Sequence, residues 1–462
     1  MAFCGICLLL IVGKLLRTFV PILQRLYLPA SVIGGLVGLL LINLVGQDIS
    51  SAWYSSWSSF PGFLINVVFA SLFLGIEKSG PARKLWHIVA PQVCFGQIIA
   101  WGQYVVGLGM VVLVLAPLYD VPAVFGNLLE IGFEGGHGTV GGLTDTFNVL
   151  GWPEGKDLGY TVATIGMIFG IVIGMILVNI AARQGHICNI RTYGDQSRLE
   201  KIGVYAEQDQ PPAGKQTVFP DSVDSLALHI SLIGIAILIG FGFKQGLAAL
   251  EVYAPESVKE THILLSFPLF PLCMIGGLIL QAILRKTNTA VIADSGQMQR
   301  IAGTALDFLV VSAVASIRIE FVAAFWQPLT LLCLAGIVWN VLTVLYLAPR
   351  IFEEAWFERS IAEFGQSMGV TATGLLLLRT VDPESKTIAA QAFGYKQLVH
   401  EPFMGGGLWT SLAVPLAISW GGGRLLVLCS IVLVFWLAIW LFMFRIKPAT
   451  ANGNGSANGC GQ

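Results

Sequence analysis

The sequence predicts an all-α integral membrane protein. Hydrophobic residues make up 55% of the chain and charged residues only 11%, and the mean hydropathy is +0.76. A soluble domain usually carries about 25% charged residues. The chain also contains many apolar runs of about 20 residues, the length that a helix needs to cross roughly 30 Å of hydrocarbon. A transmembrane barrel would instead show alternating strands of about ten residues.

A polar interruption divides the apolar runs into two halves. The predicted regions are a first transmembrane repeat at 1–183, a cytoplasmic linker at 184–222, a second repeat at 223–420, an additional helix at 421–447 and a disordered tail at 448–462. Each repeat contains five predicted spans: about 3–22, 28–46, 59–77, 86–118 and 158–183 in the first, and about 223–247, 263–284, 301–322, 325–348 and 386–420 in the second. The Gly/Asn/Ser-rich composition of the tail is typical of disorder.

Two regions, 121–152 and 353–380, fit poorly as single spans. Each is rich in glycine and threonine, carries charges, and falls between the fourth and fifth helix of its half. We name them the first and second interrupted segments. We predict that each is a re-entrant hairpin or a broken helix, because irregular backbone in a bilayer is tolerated where protein or a cavity surrounds it.

The distribution of lysine and arginine predicts the orientation. If the N-terminus is outside, the predicted cytoplasmic connections hold most basic residues, and the external ones hold few, such as Lys156, Lys259 and Arg424. The C-terminus is then cytoplasmic. Five spans and one hairpin make an odd number of crossings, so the second repeat is predicted to be inverted. The first hairpin would enter from outside and the second from the cytoplasm.

Weak internal similarity supports the inverted repeat. "LPASVIGGLVGLLL" in the second helix corresponds to "FPLFPLCMIGGLIL" in the seventh, and "GGHGTVGG" corresponds to "GQSMGVTATG". The offsets are roughly 240 and roughly 230 residues, in the same order, as expected for the internal repeats of secondary transporters.

The interrupted segments contain the candidate binding residues. A break in a membrane helix leaves N–H and C=O groups without partners, at several kcal/mol each, unless protein, substrate or ion binds them. Freed N–H groups suit a carboxylate, and carbonyl and threonine oxygens suit Na⁺. The predicted substrate-binding residues are Gly135, Gly136, His137, Gly138, Thr139, Ser367, Gly369, Thr371 and Thr373. The candidate ion-binding residues are Glu134, Asp145 and Asp307.

Structural roles are the alternatives for these residues. The glycines permit tight turns and close helix packing, and His137 could simply bond a neighbouring carbonyl. Asp307 is either an ion or proton site or a partner of a basic residue such as Arg318. Arg318 is predicted to pair with Glu320 near the external end. His400 and Glu401 precede "MGGG" in the last predicted helix of the second repeat. This pattern is as consistent with a kink or a gate as with a binding role.

Several of these motifs resemble the sodium/glutamate symporter family. They are "GGHGT" after a fourth long helix, "IGGL" in the second helix, and "FGQSMGVTATGLLLL", which is similar to the family's second glycine-rich hairpin. The resemblance extends over about 1–420, which includes both predicted repeats. The predicted helix at 424–446 lies outside it. It implies Na⁺-coupled glutamate uptake by an elevator-like or rocking movement of the hairpin-bearing domain. It also implies a bacterial inner membrane.

The leading hypothesis is therefore a secondary active transporter that couples sodium to glutamate, or to a similar small carboxylate, by alternating access. The alternatives are an uncoupled channel or facilitator for small anions, a proton-coupled carrier of another organic solute, and an intramembrane enzyme. The sequence has no GxSxG, HExxH or Walker A motif, which disfavours an enzyme. We expect no organic cofactor, no metal beyond transported sodium and no nucleic-acid partner. A homodimer is left open.

Overall fold

The structure is a computed structural model that describes residues 1–45, 47–76, 82–187, 197–255, 259, 263–383 and 386–444. Within these residues every regular element is a helix, and nine helices are long and apolar enough to cross a membrane. These observations confirm an all-α protein of the multi-pass membrane type. The predicted tail at 448–462 lies outside the described residues.

Besides the short helices Pro21–Arg25 and Ala116–Tyr119, the described part of the first half forms eight α-helices. They are α1 (Ala2–Phe19), α2 (Ala30–Val45), α3 (Gln47–Ser71), α4 (Ala82–Met110), α5 (Leu128–Phe133), α6 (Gly136–Gly142), α7 (Thr144–Val149) and α8 (Gly155–Arg183). Helix α4 continues through a π-helical turn, Val111–Leu115. Helix α3 begins well before the span predicted at 59–77. Its first part is rich in serine, tryptophan and tyrosine, so it is helical but too polar to be predicted as a membrane span from hydropathy.

Besides the short helix Ile319–Ala324, the described part of the second half also forms eight α-helices. They are α9 (Ser225–Tyr253), α10 (Leu269–Lys286), α11 (Ser295–Ala315), α12 (Trp326–Leu342), α13 (Trp356–Val381), α14 (Ala389–His400), α15 (Leu408–Trp420) and α16 (Gly422–Ile439). In place of one continuous span at 386–420, the chain forms α14 and α15. The glycines between them permit this break, since Gly405 and Gly406 have φ values of +64° and +106°.

Helix α13, which contains the second interrupted segment, consists of two arms that lie side by side. Its backbone leaves helical geometry at Gly369 and Val370. Gly365 in the first arm faces Gly374 in the second, and a Cβ added to Gly365 would be 2.7 Å from the Gly374 Cα. Glycine at this contact allows the two backbones to approach closely.

The arms of α13 lie along the C-terminal half of α8. The ring of Trp356, at the start of the first arm, is 5.2 Å from that of His186 beyond the end of α8. In the second arm, Leu377 packs on Gly174 of α8. The start of α13 is therefore near the end of α8, and its second arm lies beside the C-terminal half of α8.

The first interrupted segment lies along the N-terminal half of α8. Phe147, near the end of the segment, packs on Trp152 with ring centroids 5.5 Å apart. Phe125, near its start, packs on Phe325, which immediately precedes α12, at 6.3 Å. Val140, between them in sequence, packs on Gly159 in the first part of α8.

The core surrounds both interrupted segments. Phe133 and Val140 of the first segment and Phe364 and Met368 of the second are fully buried in the largest apolar cluster of the described residues. Because lipid is as apolar as leucine, close van der Waals packing contributes more to such a core than burial from water does. Small residues at the contacts are consistent with this.

The described part of the linker contacts both halves. Lys14 of α1 donates hydrogen bonds from Nζ to the carbonyls of Ile202 and Gly203, at 2.7 and 2.8 Å. Thr217 donates from its hydroxyl to the carbonyl of Ile292, at 2.8 Å. The linker thereby joins α1 to the chain that precedes α11.

We expect Gly365→Ala to lower the stability of the protein, because its Cβ would force the arms of α13 apart. Such overpacking costs about 1–3 kcal/mol. The thermal unfolding midpoint of the purified protein in detergent measures the effect. Gly394→Ala in α14 is the matched control, since a Cβ there meets no atom within 4 Å. An equal midpoint for both variants would contradict the side-by-side arms.

Candidate functional site

The two interrupted segments touch each other at their turns. Gly136 has a φ of +67° and Val370 a φ of +63°. A Cβ added to Gly136 would overlap Cγ1 of Val370, so the turns are in direct contact. A positive φ is rare for a β-branched residue and costs on the order of 1–3 kcal/mol. Backbone strain of this kind is concentrated at functional sites.

A cavity of about 380 Å³ lies beside this contact. Both interrupted segments line it, together with α2, α3, α8, α11 and the chain between α14 and α15. Small-molecule sites commonly have volumes of roughly 300–1,000 Å³. The predicted site residues that line the cavity are Glu134, Gly135, His137, Gly138, Asp307, Thr371 and Thr373. A larger cavity, of about 500 Å³, lies beside the linker and α10 and contains none of the predicted site residues.

The other predicted residues lie outside the lining of the smaller cavity. Gly136 and Gly369 are at the turns, and the Thr139 hydroxyl donates to a backbone carbonyl of its own segment at 2.9 Å. Ser367 is fully buried away from the cavity lining. Asp145 is exposed on α7. The structure therefore does not bring Asp145 to the other candidates.

His137 faces the cavity with a defined ring orientation. Its Nε2 is 2.9 Å from the Thr164 hydroxyl, which donates its own hydrogen to the Tyr160 carbonyl at 2.8 Å. A hydroxyl has one hydrogen, so Nε2 of His137 must be the donor. The neutral ring then has no proton on Nδ1, which accepts a hydrogen bond when neutral and donates one when protonated.

Glu134 is bonded to the last residue of α14. Its Oε1 is hydrogen bonded to Nε2 of His400, and Nδ1 of His400 is 3.1 Å from Nε2 of Gln97. Trp101 donates to Oε1 of Gln97 at 2.9 Å, which fixes the amide orientation and makes Nδ1 of His400 an acceptor. Oε2 of Glu134 is buried and has no hydrogen-bond partner within the described chain. That oxygen is available to a cation or a proton.

Glu130, one helical turn before Glu134, was not among the predicted site residues. It is fully buried and accepts three hydrogen bonds, from the Tyr104 hydroxyl at 2.6 Å, the Gly405 N–H at 2.8 Å and the Thr410 hydroxyl at 2.8 Å. These bonds attach the chain between α14 and α15 to the first interrupted segment. The sequence feature that could have identified Glu130 is its position as an ionisable residue within the apolar stretch "GNLLEIGF".

A second polar network reaches the cavity from α14. Thr371 donates to Glu401 at 2.7 Å, and Gln397 donates to the Thr371 hydroxyl at 2.8 Å. Next to them, Lys396 forms an ion pair with Glu363 at 2.5 Å, and both side chains are fully buried. A buried charge that is already paired is costly to separate. Lys396 is therefore a partner of Glu363 and not a free positive charge for substrate.

Arg318 pairs with Asp157 at the start of α8, not with Glu320 as predicted. The carboxylate of Asp157 accepts from the Arg318 backbone N–H at 2.9 Å, from Nε at 3.0 Å and from Nη2 at 2.8 Å. The prediction considered neighbours in sequence, whereas this partner is 161 residues away. Because Asp157 occupies the guanidinium, Arg318 does not act as a substrate clamp in this conformation.

The cavity is acidic. Its ionisable lining residues are Glu134, His137, Asp307 and Glu401, and its lining, which belongs wholly to the described part of the chain, contains no lysine or arginine. An anionic solute would be repelled here unless cations or protons enter with it.

Among the described residues, no group of three or more His, Cys, Asp and Glu residues is placed to hold a metal ion.

The fold and the cavity define a multi-pass membrane protein with a polar site where two broken helices meet, as in transporters. A family model described as sodium/glutamate symporter matches residues 1–381, and the chain belongs to this family. The matched range contains both interrupted segments. Membership confirms the predicted function, sodium-coupled glutamate transport. No curated protein matches the chain.

We expect Gly136→Ala to abolish glutamate uptake, since the new methyl group would overlap Val370 and the backbone has a positive φ. The measurement is uptake by the reconstituted variant, with its amount in the membrane verified. Gly151→Ala is the matched control, because Gly151 also has a positive φ, +74°, but open space around it. Uptake by Gly136→Ala equal to that of the control would show that contact of the turns is unnecessary.

Proposed function

We propose that the protein moves glutamate and Na⁺ together by alternating access, with the substrate bound in the cavity beside the two turns. The contact of Gly136 with Val370 at the edge of that cavity is the observation that carries the proposal. Breaks in two helices put backbone groups that lack their helical partners at one place, where substrate and ions can bind them. Exposure of the site to one side and then the other would complete the cycle.

We further propose that the two interrupted segments are re-entrant hairpins that enter from opposite sides. Both ends of the first segment lie near the starts of α8 and α12, whereas the second segment starts near the end of α8 and its second arm lies beside the C-terminal half of α8. The bond from Arg318 to Asp157 supports the first point, because it joins the start of α8 to the chain before α12. Since α8 runs from one side to the other, these contacts favour opposite entry.

The proposed inverted repeats, 1–183 and 223–420, have further support. Helices α4 and α12 occupy equivalent positions in the two halves, and each continues into a π-helical turn, Val111–Leu115 and Thr343–Leu347. The turns of the two segments also carry one positive φ each. We retain the predicted orientation, with the N-terminus outside and the C-terminus in the cytoplasm, as part of this proposal.

We propose that the substrate carboxylates face the N–H groups of the two turns and His137. Protonated at Nδ1, His137 would donate to a carboxylate while Nε2 remains bonded to Thr164. The ammonium group of glutamate would face Asp307 or Glu401, which line the same cavity. This orientation places each charge of the substrate beside groups of opposite sign or polarity.

Co-transported cations have a clear physical role in this proposal. Glutamate carries a net negative charge, and the cavity lining adds three carboxylates. Bringing these charges together in a site of low dielectric is unfavourable unless positive charge enters too. Na⁺ would supply it, and occupancy of the site would then depend on both solutes.

Uptake into proteoliposomes tests the proposal. We expect the wild-type protein to concentrate labelled glutamate only under an inward Na⁺ gradient. His137→Ala should reduce uptake by about tenfold or more, since a hydrogen bond to a charged group is worth about 1.5–3 kcal/mol. His186→Ala, at an exposed histidine, is the control.

Replacement of Na⁺ by choline gives the decisive comparison. Undiminished uptake in choline would refute sodium coupling. Accumulation driven by a proton gradient alone would instead favour a proton-coupled carrier, a second candidate that the buried pair of Glu134 with His400 supports. Uptake that never exceeds equilibrium would indicate an uncoupled facilitator.

We expect Asp307→Asn to weaken recognition of the ammonium group. The KM for glutamate should rise by about tenfold, while inhibition by glutarate, which lacks that group, should change little. Asp145→Asn is the matched control, because Asp145 does not line the cavity. An equal loss of affinity for glutamate and glutarate would assign Asp307 to another role.

A further inference from the structure

We propose that a transported Na⁺ binds where Gln103 of α4, Asn340 of α12 and Ser367 of α13 meet, outside the substrate cavity. The proposal rests on the sodium-coupled function only for the identity of the ion. All three side chains have 0% exposure. None of the three lines the cavity, so the site is distinct from that of the substrate.

Hydrogen bonds fix the orientation of the two amides. Nε2 of Gln103 donates to the Ser367 carbonyl at 2.6 Å and to Oδ1 of Asn340 at 3.2 Å. Nδ2 of Asn340 donates to the same Ser367 carbonyl at 3.1 Å. Reversing the Gln103 amide would place its oxygen against two acceptors, so Oε1 points away from both.

Two oxygens in this cluster lack partners. Oε1 of Gln103 and Oγ of Ser367 are fully buried and make no hydrogen bond within the described chain. Unsatisfied groups of this kind are rare in folded proteins, and each one calls for an explanation such as a bound ion or water. Both are hard, uncharged oxygen ligands, and ion sites in membrane proteins are built from neutral oxygens of this kind.

The backbone also favours a cation here. The first arm of α13 ends at the break at Gly369 and Val370, two residues beyond Ser367. The C-terminal end of a helix carries a partial negative charge. A positive ion at Oγ of Ser367 would therefore interact favourably with the end of this arm.

The position of the cluster explains how the ion would affect substrate binding. Gln103 and Asn340 are 237 residues apart, close to the offset between the proposed repeats, and they come from the equivalent helices α4 and α12. Ser367 is in the arm that leads directly to Thr371 in the cavity wall. An ion that holds α4, α12 and this arm together would fix the turn against which glutamate binds. Such coupling is reciprocal, so each solute would raise the affinity for the other.

The test is the Na⁺ dependence of Ser367→Ala, Ser367→Cys and Gln103→Leu. The first measurement is the Na⁺ concentration for half-maximal uptake at saturating glutamate. The second is the rise in thermal midpoint that Na⁺ causes in purified protein without glutamate. We expect each variant to need about tenfold more Na⁺ or more in both measurements. The KM for glutamate at saturating Na⁺ should stay within about twofold of wild type.

Ser411→Ala is the matched control, since Ser411 is also fully buried, with a hydroxyl that makes no hydrogen bond to the described residues, but lies on α15. Its Na⁺ dependence should equal that of wild type. Unchanged Na⁺ dependence in the Ser367 and Gln103 variants would overturn the proposal and indicate water at these oxygens. A raised glutamate KM with unchanged Na⁺ dependence would also overturn it and assign Ser367 to substrate.

The thermal measurement separates this proposal from the proposed function. If wild-type protein is stabilised by Na⁺, and Ser367→Ala and Ser367→Cys lose this response, the site is supported even when no glutamate uptake is found. If glutamate uptake is sodium-driven but the variants retain the full thermal response, the transport function stands and this site is refuted.

Discussion

Backbone groups that lose their helical partners inside a membrane protein need another partner, and the site depends on this constraint. The chain breaks at Gly136 in one segment and at Gly369 and Val370 in the other, and the two breaks are in contact. Their N–H and C=O groups are therefore gathered at one place. The glycines make the turns possible, and the surrounding helices exclude lipid from them. We propose that the cavity at this point binds a solute that can bond to such groups.

The charges around the cavity add a second constraint. Lys396, a buried cation in the polar network beside the cavity, is paired with Glu363. Arg318 is paired with Asp157. Both pairs hold helices together instead of offering positive charge to a substrate. The lining itself is acidic, so the positive charge needed to bind an anionic amino acid must arrive with it. Under the proposed function, dependence on a cation is a property of the site's electrostatics, which would give the family's sodium coupling a physical cause.

Much of the fold could be predicted from the sequence, because hydropathy and glycine content report directly on lipid contact and helix breaks. The glycine-rich strings located both interrupted segments, and an intramembrane histidine and aspartate led to His137 and Asp307. The exposed Asp145 shows the limit of this reasoning, since composition alone does not tell which side of a segment a residue occupies. Other site residues depend on tertiary pairing. Glu130 accepts hydrogen bonds from α4, from α15 and from the chain between α14 and α15. Gln103 contacts Asn340, which is 237 residues away in sequence. Sequence periodicity cannot indicate contacts of this kind.

The most direct test of the central claim is an experimental structure of the protein with glutamate and Na⁺ bound. The account predicts density for glutamate in the cavity between Gly135 and Thr371, in contact with both turns. Density for the substrate elsewhere, or a bound state in which the turns at Gly136 and Val370 are far apart from each other and from the substrate, would contradict it.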